Sequence, residues 1–260
     1  MKRGFTLVEL SIVLVIIGLL IGGILVGQSL IESAKINKFV GLLTQYDIAH
    51  NQFKNKYKQI AGDTSLFQIA GYTNPRLYQN DGKILPFGAI DAGIFTYEVA
   101  HYWKHLFQAG MIPKDYNVDA TTGIRAGTHI PSTPYTGVGI SAGTIANGIT
   151  GGFDNIYFIG DFSSSTTNNN LGFSNFATPT LALAIDNKID DGKAFPDDAS
   201  SLTGNYNNRF VRLLWQSNGS NSCTTSESNG YMTPSRDFLF TNAEQKNCML
   251  WYTIGSSSDY

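Results

Sequence analysis

Residues 1–31 read MKRGFTLVELSIVLVIIGLLIGGILVGQSLI, a short basic head followed by a long apolar segment. The uncharged part, Leu10–Ile31, would be about 33 Å long as a helix, which is enough to cross the hydrocarbon core of a bilayer. Lys2 and Arg3 precede it, whereas the first charges beyond it are mixed, so the N-terminus is expected in the cytoplasm. The segment predicts one membrane-spanning helix, with the rest of the chain exported.

A carboxylate, Glu9, stands at the start of this apolar segment. An acidic side chain costs roughly 2.5–3.5 kcal/mol at the middle of a membrane helix and less near an interface. Glu9 therefore needs a cationic partner, which could be Lys2, Arg3 or an amine created by proteolysis. A secretory signal peptide is not indicated, because its apolar core would be shorter and a small-residue cleavage site would follow it.

The sequence GFTLVE at residues 4–9, followed by an apolar helix, resembles the N-terminal signature of type IV pilins and type II secretion pseudopilins. The resemblance implies that a prepilin peptidase cuts between Gly4 and Phe5 and that the new amino terminus on Phe5 is N-methylated. It also implies that Glu9 meets the amino terminus of a neighbouring subunit during filament assembly. A plain signal anchor is the alternative interpretation.

The composition of the whole chain suits an exported, loop-rich domain. Its 260 residues are 42% hydrophobic and only 15% charged, with 27 glycines and a formal net charge of −2. This charge balance does not indicate a nucleic-acid binder. About 200 residues follow the N-terminal helix, which is enough for one hydrophobic core.

The helix is predicted to continue past the membrane to about Ala61, where Gly62 and Asp63 end it. Its second half carries apolar and aromatic residues three and four positions apart, the pattern of a helix that buries one face. This stripe is expected to pack on a sheet. Its members are Ile36, Phe39, Val40, Leu43, Tyr46, His50, Phe53, Tyr57 and Ile60.

These features predict an α+β, pilin-like fold, in which a long N-terminal helix packs on a mainly antiparallel β globular domain. The predicted organisation is a cytoplasmic leader at residues 1–4, the helix at 5–61 with its membrane part at about 10–31, and an exported globular domain at 62–260. Further helices are expected at 94–109 and 178–189, strands at 153–160, 210–215 and 249–254, and a polar loop at 163–170. The glycine-rich stretch 123–152 supports no assignment.

Cys223 and Cys248 are the only two cysteines of the chain. In an exported domain, a disulfide between them is the natural expectation. It would stabilise the fold by roughly 3.5 kcal/mol in the chain-entropy model. Pilins often close a C-terminal loop in this way, so the pattern is similar. Two buried free thiols are the alternative.

A run of carboxylates near residue 190 is a candidate calcium site. Asp186, Asp190 and Asp191 could supply oxygen ligands, and some pseudopilins bind calcium in their C-terminal region. The run lacks alternating spacing, so a polar helix end capped by Gly192 is the plainer interpretation. The sequence NDG at residues 80–82 is a weaker candidate and more typical of a turn. No other cofactor is expected.

Three further patterns have plainer explanations than the chemistry they suggest. His101 and His105 lie one helical turn apart, but no third metal ligand accompanies them, so they are expected on a helix surface. Ser141 lies in a G-x-S-x-G match, but a poor helix follows, which argues against a nucleophile elbow. Phe53 and Tyr57 alternate with lysines in a way that suits single-stranded DNA, yet they belong to the buried stripe.

The sequence therefore predicts a non-enzymatic structural subunit, favoured as a minor one, of a type IV pilus or a type II secretion pseudopilus. The resemblance implies a place in the bacterial inner membrane and then in a filament. The implied partners are prepilin peptidase, other pilin subunits, an inner-membrane assembly platform with its ATPase, and membrane lipid before assembly. The alternative is a membrane-anchored binding protein or adhesin that does not polymerise.

Overall fold

The structure of the chain is a computed structural model. It describes residues 7–69, 71, 80–84, 97–119, 123–146, 153–163, 175–189, 211–212, 246, 248 and 250–254. The helices in these residues are α1 (Leu7–Tyr57), α2 (Tyr97–Gln108) and α3 (Pro179–Ile189). The strands are β1 (Val138–Ala146), β2 (Phe153–Asp161), β3 (Val211–Arg212) and β4 (Leu250–Thr253). The α+β prediction is confirmed.

The second half of α1 buries one face, as its periodicity predicts. Phe39 and Phe53 are fully buried, and Ile36 is the first buried residue along the helix. Val40 and Tyr57 are half-buried. The buried residues on α1 are Ile36, Phe39, Leu43, Tyr46, Ala49, His50 and Phe53. The helix thus enters the domain core over its last six turns, counted at 3.6 residues per turn.

Helix α1 ends at Tyr57, before the predicted end at Ala61. Lys58 lies in the left-handed region, at φ 57°, while its N–H still donates to the Lys54 carbonyl at 2.8 Å. This turn brings Ile60 and Ala61 into the core, where they are 6% and 0% exposed. A helix that continued would carry these two side chains past the core instead.

Gly62 follows this turn in a position that only glycine fits without strain. Its φ is 91°, and a Cβ there would lie 2.7 Å from the Glu98 carbonyl oxygen. Its N–H donates to Nδ1 of His105 at 3.0 Å. The close approach therefore ties the segment after α1 to the backbone and to a side chain of α2.

Replacing Gly62 with alanine is expected to lower the free energy of unfolding by about 2 kcal/mol or more. The added methyl group meets the α2 backbone, and the left-handed conformation is itself unfavourable for alanine. Gly41→Ala is the matched control, because a Cβ at this mid-helix site has nothing within 4 Å. Urea denaturation should show that this control is unchanged or more stable by up to about 1 kcal/mol. Equal stability of the two variants would contradict the steric argument.

Asp63, buried next to Gly62, holds the predicted turn at residues 80–82. Its carboxylate accepts from the Gly82 N–H at 2.7 Å and from the Asn80 N–H at short range. Asn80 and Gly82 both have positive φ, as expected for a turn. Burial raises the pKa of Asp63 to about 6, and the backbone amides oppose this shift. The carboxylate thus serves as the anchor of a turn.

The four strands form one antiparallel sheet in the order β1-β2-β4-β3. Strands β2 and β4 confirm the strands predicted at 153–160 and 249–254, and β3 lies within the range 210–215. Tyr157 lies opposite Tyr252, with nearly parallel rings 6.1 Å apart. Tyr157 also stacks on Trp103 of α2, so α2 packs directly on the sheet.

A chain of buried hydrogen bonds joins α1, α2 and β2. The Tyr157 hydroxyl donates to the Tyr46 carbonyl at 3.0 Å and lies 2.8 Å from the Tyr102 hydroxyl. Because the Tyr157 hydroxyl donates its only hydrogen to the Tyr46 carbonyl, the Tyr102 hydroxyl must be the donor in its hydrogen bond with Tyr157. Tyr102 then accepts from Nδ1 of His50, 3.1 Å away. The order of donors requires a proton on Nδ1 of His50 and fixes the rotation of both phenols.

Candidate functional site

The first half of α1 is an apolar cylinder that the domain does not cover. All its residues from Leu7 to Ile31 are exposed except Gly27, which is half-exposed. Leu7 is 87% exposed and Leu19 is 73% exposed. A contiguous apolar surface of this size requires lipid or protein around it. Among the described residues, α1 is the one helix long and apolar enough to cross a membrane.

The polar groups of this half are suited to an apolar environment. The Ser11 hydroxyl donates to the Val8 carbonyl and the Ser29 hydroxyl to the Val26 carbonyl, each at 2.9 Å. Neither hydroxyl therefore needs water or a neighbouring helix as an acceptor. This leaves the carboxylate of Glu9 as the charged group within the apolar half.

Glu9 lies in the first turn of α1, where the helix dipole favours a negative charge. Its side chain is exposed. Gly4 and Phe5, the predicted cleavage and methylation site, lie outside the described residues. Glu9 and Ile36, the first buried residue, are separated by about 40 Å along the helix. The carboxylate is therefore remote from the folded domain.

Helix α1 enters the domain beside a short polar cluster. The Tyr135 hydroxyl donates to Oε1 of Glu32 at 3.2 Å, and Nζ of Lys35 lies 3.6 Å from Oε2 of the same carboxylate. The Tyr135 ring also meets the Phe39 ring edge-on, at 6.2 Å. Sequence reasoning missed Tyr135, because no local pattern links it to a helix 103 residues earlier. The one available indication was Glu32, which is the first charged residue after the uncharged segment Leu10–Ile31.

The surface position predicted for His101 and His105 is wrong. Both side chains are fully buried, since α2 is covered by α1, by the segment after α1 and by the sheet. Burial lowers the pKa of His101 to about 4 and that of His105 to about 3. No group of three His, Cys, Asp or Glu side chains that could hold a metal exists in the part of the chain that the structure describes.

The calcium prediction remains a prediction. Asp186 lies on α3 and is fully buried. Asp190 and Asp191 lie outside the described residues. Helix α3 itself confirms the helix predicted at 178–189, with the Thr178 hydroxyl accepting from the Leu181 N–H at 3.2 Å as an N-cap.

The disulfide also remains a prediction, because Cys223 lies outside the described residues. Cys248 is fully buried and is not a free thiol. Its backbone pairs with Ala177, just before α3, through N–H···O bonds of 3.0 and 3.2 Å. A bridge at Cys248 would therefore hold a C-terminal loop against the start of α3.

Ser141 is placed where a nucleophile elbow cannot form. The G-x-S-x-G match runs through the middle of β1, and Ser141 pairs with Phe158 of β2. Strand β1 continues from the serine to Ala146, whereas the motif requires a strand-to-helix turn at the serine itself. Its hydroxyl is buried and has no hydrogen-bond partner among residues that the structure describes.

Replacing Ser141 with alanine is expected to leave the protein equally stable or more stable by up to about 1 kcal/mol. The change removes a buried hydroxyl that forms no hydrogen bond with any residue that the structure describes. Thr144→Val is the matched control, because the Thr144 hydroxyl accepts from the Ile84 N–H at 2.7 Å and its loss should cost about 1–3 kcal/mol. Chemical denaturation of both variants checks this. A marked loss of stability in Ser141→Ala would contradict the conclusion that the Ser141 hydroxyl contributes no stabilising hydrogen bond.

The aromatic residues near the lysines of α1 pack in the domain, as predicted. Phe53 is fully buried, and its ring lies 4.8 Å from the Tyr57 ring and 5.6 Å from the Phe67 ring. Phe53 is therefore not available to stack on a nucleic-acid base. The lysines beside it are the solvated face of the helix end.

Comparison with known families identifies the N-terminal segment. The model of the prokaryotic N-terminal methylation motif matches residues 1–25. This motif belongs to a structural pilin type, not to an enzyme family, and implies processing by prepilin peptidase and assembly with other pilin subunits. No curated protein and no solved structure matches the chain. The chain thus carries the type IV pilin and pseudopilin signature on a pilin-like α+β fold.

Proposed function

We propose that the chain is a structural subunit of a type IV pilus or a type II secretion pseudopilus. The observation that carries this proposal is the methylation motif at residues 1–25, placed on a helix whose apolar half is exposed on all sides. Before assembly, lipid covers this half in the inner membrane and the domain lies on the periplasmic side. In the filament, the same half packs against the helices of other subunits.

Processing creates a new cationic group close to Glu9 in the sequence. Cleavage between Gly4 and Phe5 removes the basic head and leaves an ammonium group on methylated Phe5. Glu9 follows this terminus by four residues in the sequence and lies in the first turn of α1, which would place its carboxylate near the terminus of an adjacent subunit in the filament. A buried carboxylate paired with a buried ammonium avoids the cost of an isolated charge in an apolar environment. The assembly platform and its ATPase supply the work of extraction from the membrane.

Mass spectrometry of the N-terminal peptide from the native host tests the proposal. We expect the chain to begin at N-methylated Phe5 and to occur in sheared surface fibres or in a secretion pseudopilus. A chain that keeps Met1 would contradict the proposal. Correct processing without any filament would favour the alternative of a membrane-anchored binding protein or adhesin.

A further inference from the structure

A cavity of about 500 Å³ lies between the start of the domain-packed part of α1 and helix α3. Its inner surface includes the buried side chains of Ile36, Val138 and Phe176. Lys35 and Lys246 line it at more exposed positions. The cavity thus combines an apolar floor with charged side chains at more exposed positions, in the size range of small-molecule sites.

The charges that line the cavity favour an anion. They are Lys35, Lys246 and Glu32, which leaves one net positive charge among the described lining residues. Glu32 is held by the Tyr135 hydroxyl on one oxygen and lies 3.6 Å from Lys35 on the other. A lysine ammonium has three donors, so Lys35 can contact Glu32 and still donate to a phosphate oxygen.

The position of the cavity along α1 identifies the source of the anion. The uncharged segment ends at Ile31, and the lining residues Glu32, Lys35 and Ile36 follow within about 2–8 Å along the helix axis. The headgroup layer of a bilayer extends roughly 5–8 Å beyond the hydrocarbon core on each side. Tyr135, next to Glu32, also suits this layer, where tyrosine is enriched.

We propose that this cavity binds the headgroup of an anionic phospholipid while the subunit is in the membrane. The lipid phosphate lies at the two lysines, and the glycerol and upper acyl carbons lie on the apolar floor. The inference rests on the proposed membrane stage of the pilin pathway. The bound lipid would set the depth and rotation of the domain on the membrane, and extraction into a filament would release it.

Native mass spectrometry of the full chain from nanodiscs of equal phosphatidylglycerol and phosphatidylethanolamine tests the proposal. We expect the protein to retain one phosphatidylglycerol. Lys35→Gln and Lys246→Gln should each lower the retained fraction about fivefold, and together about 25-fold. Lys56→Gln is the matched control, since it removes the same charge about 30 Å further along α1 and should retain lipid as the wild type does.

A second variant separates the cavity from a general attraction of lysines to lipid. Ala184→Phe fills the floor next to α3 without changing any charge, and should abolish retention of the lipid while circular dichroism remains unchanged. Equal lipid loss in Lys56→Gln, displacement of the lipid by inorganic phosphate, or a second copy of the chain at the cavity in place of lipid would each overturn the proposal.

The same spectra separate this inference from the proposed function when protein from the native host is used. The mass of the chain reports whether it starts at methylated Phe5, and the adduct reports the lipid. Lipid retention on a chain that keeps Met1 supports the cavity and rejects the pilin pathway. A processed chain that retains no lipid supports the pilin pathway and rejects lipid binding in the cavity.

Discussion

If the proposed function holds, replacing Glu9 with glutamine is expected to lower the amount of assembled filament about tenfold or more and to leave cleavage between Gly4 and Phe5 intact. The amide cannot neutralise the ammonium of the neighbouring terminus, and breaking a buried ion pair costs about 3–5 kcal/mol. Each 1.4 kcal/mol corresponds to a factor of ten in an equilibrium constant. Immunoblots of sheared filaments and of membrane fractions measure both quantities.

The structure makes this substitution a clean test of assembly. Glu9 lies on the exposed half of α1, about 40 Å from Ile36, so the domain should keep its fold and its denaturation curve. Glu9→Asp keeps the charge on a shorter side chain and should restore part of the filament. Glu32→Gln, the same chemical change beyond the apolar segment, should assemble normally. Full assembly of Glu9→Gln would remove the electrostatic basis of the proposed function.

The elements with a strong local pattern could be predicted from the sequence. The stripe from Ile36 to Phe53 repeats every three or four residues, and α3 begins with a threonine cap at Thr178. The segments of β2 and β4 are rich in aromatic and β-branched residues, as strands are. These signals arise from side chains within one element, so no tertiary information is needed to read them.

Strand β1 could not be predicted, because its stability comes from its neighbours. Its sequence, VGISAGTIA, interrupts the strand-favouring Val, Ile and Thr with glycine, serine and alanine, which weaken the strand signal. Pairing along the whole length of β2 supplies the hydrogen bonds. The Ile130 side chain fills the space over Gly139, where an added Cβ would lie 2.5 Å from its Cδ1. Such a contact between separate segments leaves no periodic signal.

The candidate site likewise has one part that the sequence reveals and another that depends on tertiary contacts. The motif around Glu9 is contiguous, so the sequence is sufficient to find it. The cavity requires α1, α3 and the loop that carries Tyr135 to meet, and its residues span more than 200 positions. The burial of His101 and His105 also depends on which elements cover α2. The sequence predicts the apolar face of α2 but not how many partners enclose it.

Acidification should destabilise the domain through three buried histidines of α1 and α2, and His129, whose pKa burial also lowers, acts in the same direction. Burial lowers the pKa of His50 and His101 to about 4 and that of His105 to about 3. The unfolded chain would bind protons at these residues below pH 6.5, whereas the folded chain would not until about pH 4. The unfolded state thus binds more protons in this window, so stability is complete above pH 6.5 and is lost as the pH falls.

Asp63 has the opposite effect on the pH dependence of stability. Its pKa is raised to about 6 in the fold from 3.8, so its contribution is fully present below pH 3.8 and lost as the pH rises through 6. The three histidines of α1 and α2 against one aspartate leave a net difference of at least about two protons between pH 4 and pH 6, and His129 adds to it. At about 1.4 kcal/mol per proton and pH unit, the free energy of unfolding should fall by roughly 2–3 kcal/mol from pH 6 to pH 5.

Urea denaturation of the full chain in detergent, followed by tryptophan fluorescence at pH 7.5, 6 and 5, measures this slope. His105→Asn should reduce it by about one proton, because the asparagine oxygen can accept from Gly62 N–H but does not titrate. Lys104→Gln, on the same helix, should keep the full slope. Constant stability between pH 7.5 and 5, or an unchanged slope in His105→Asn, would mean that these histidines do not control the response. The Gly62 N–H donates to Nδ1 of His105, and this hydrogen bond joins the segment after α1 to α2. Protonation of Nδ1 would remove the acceptor, so protonation of His105 is expected to lower the stability of the fold.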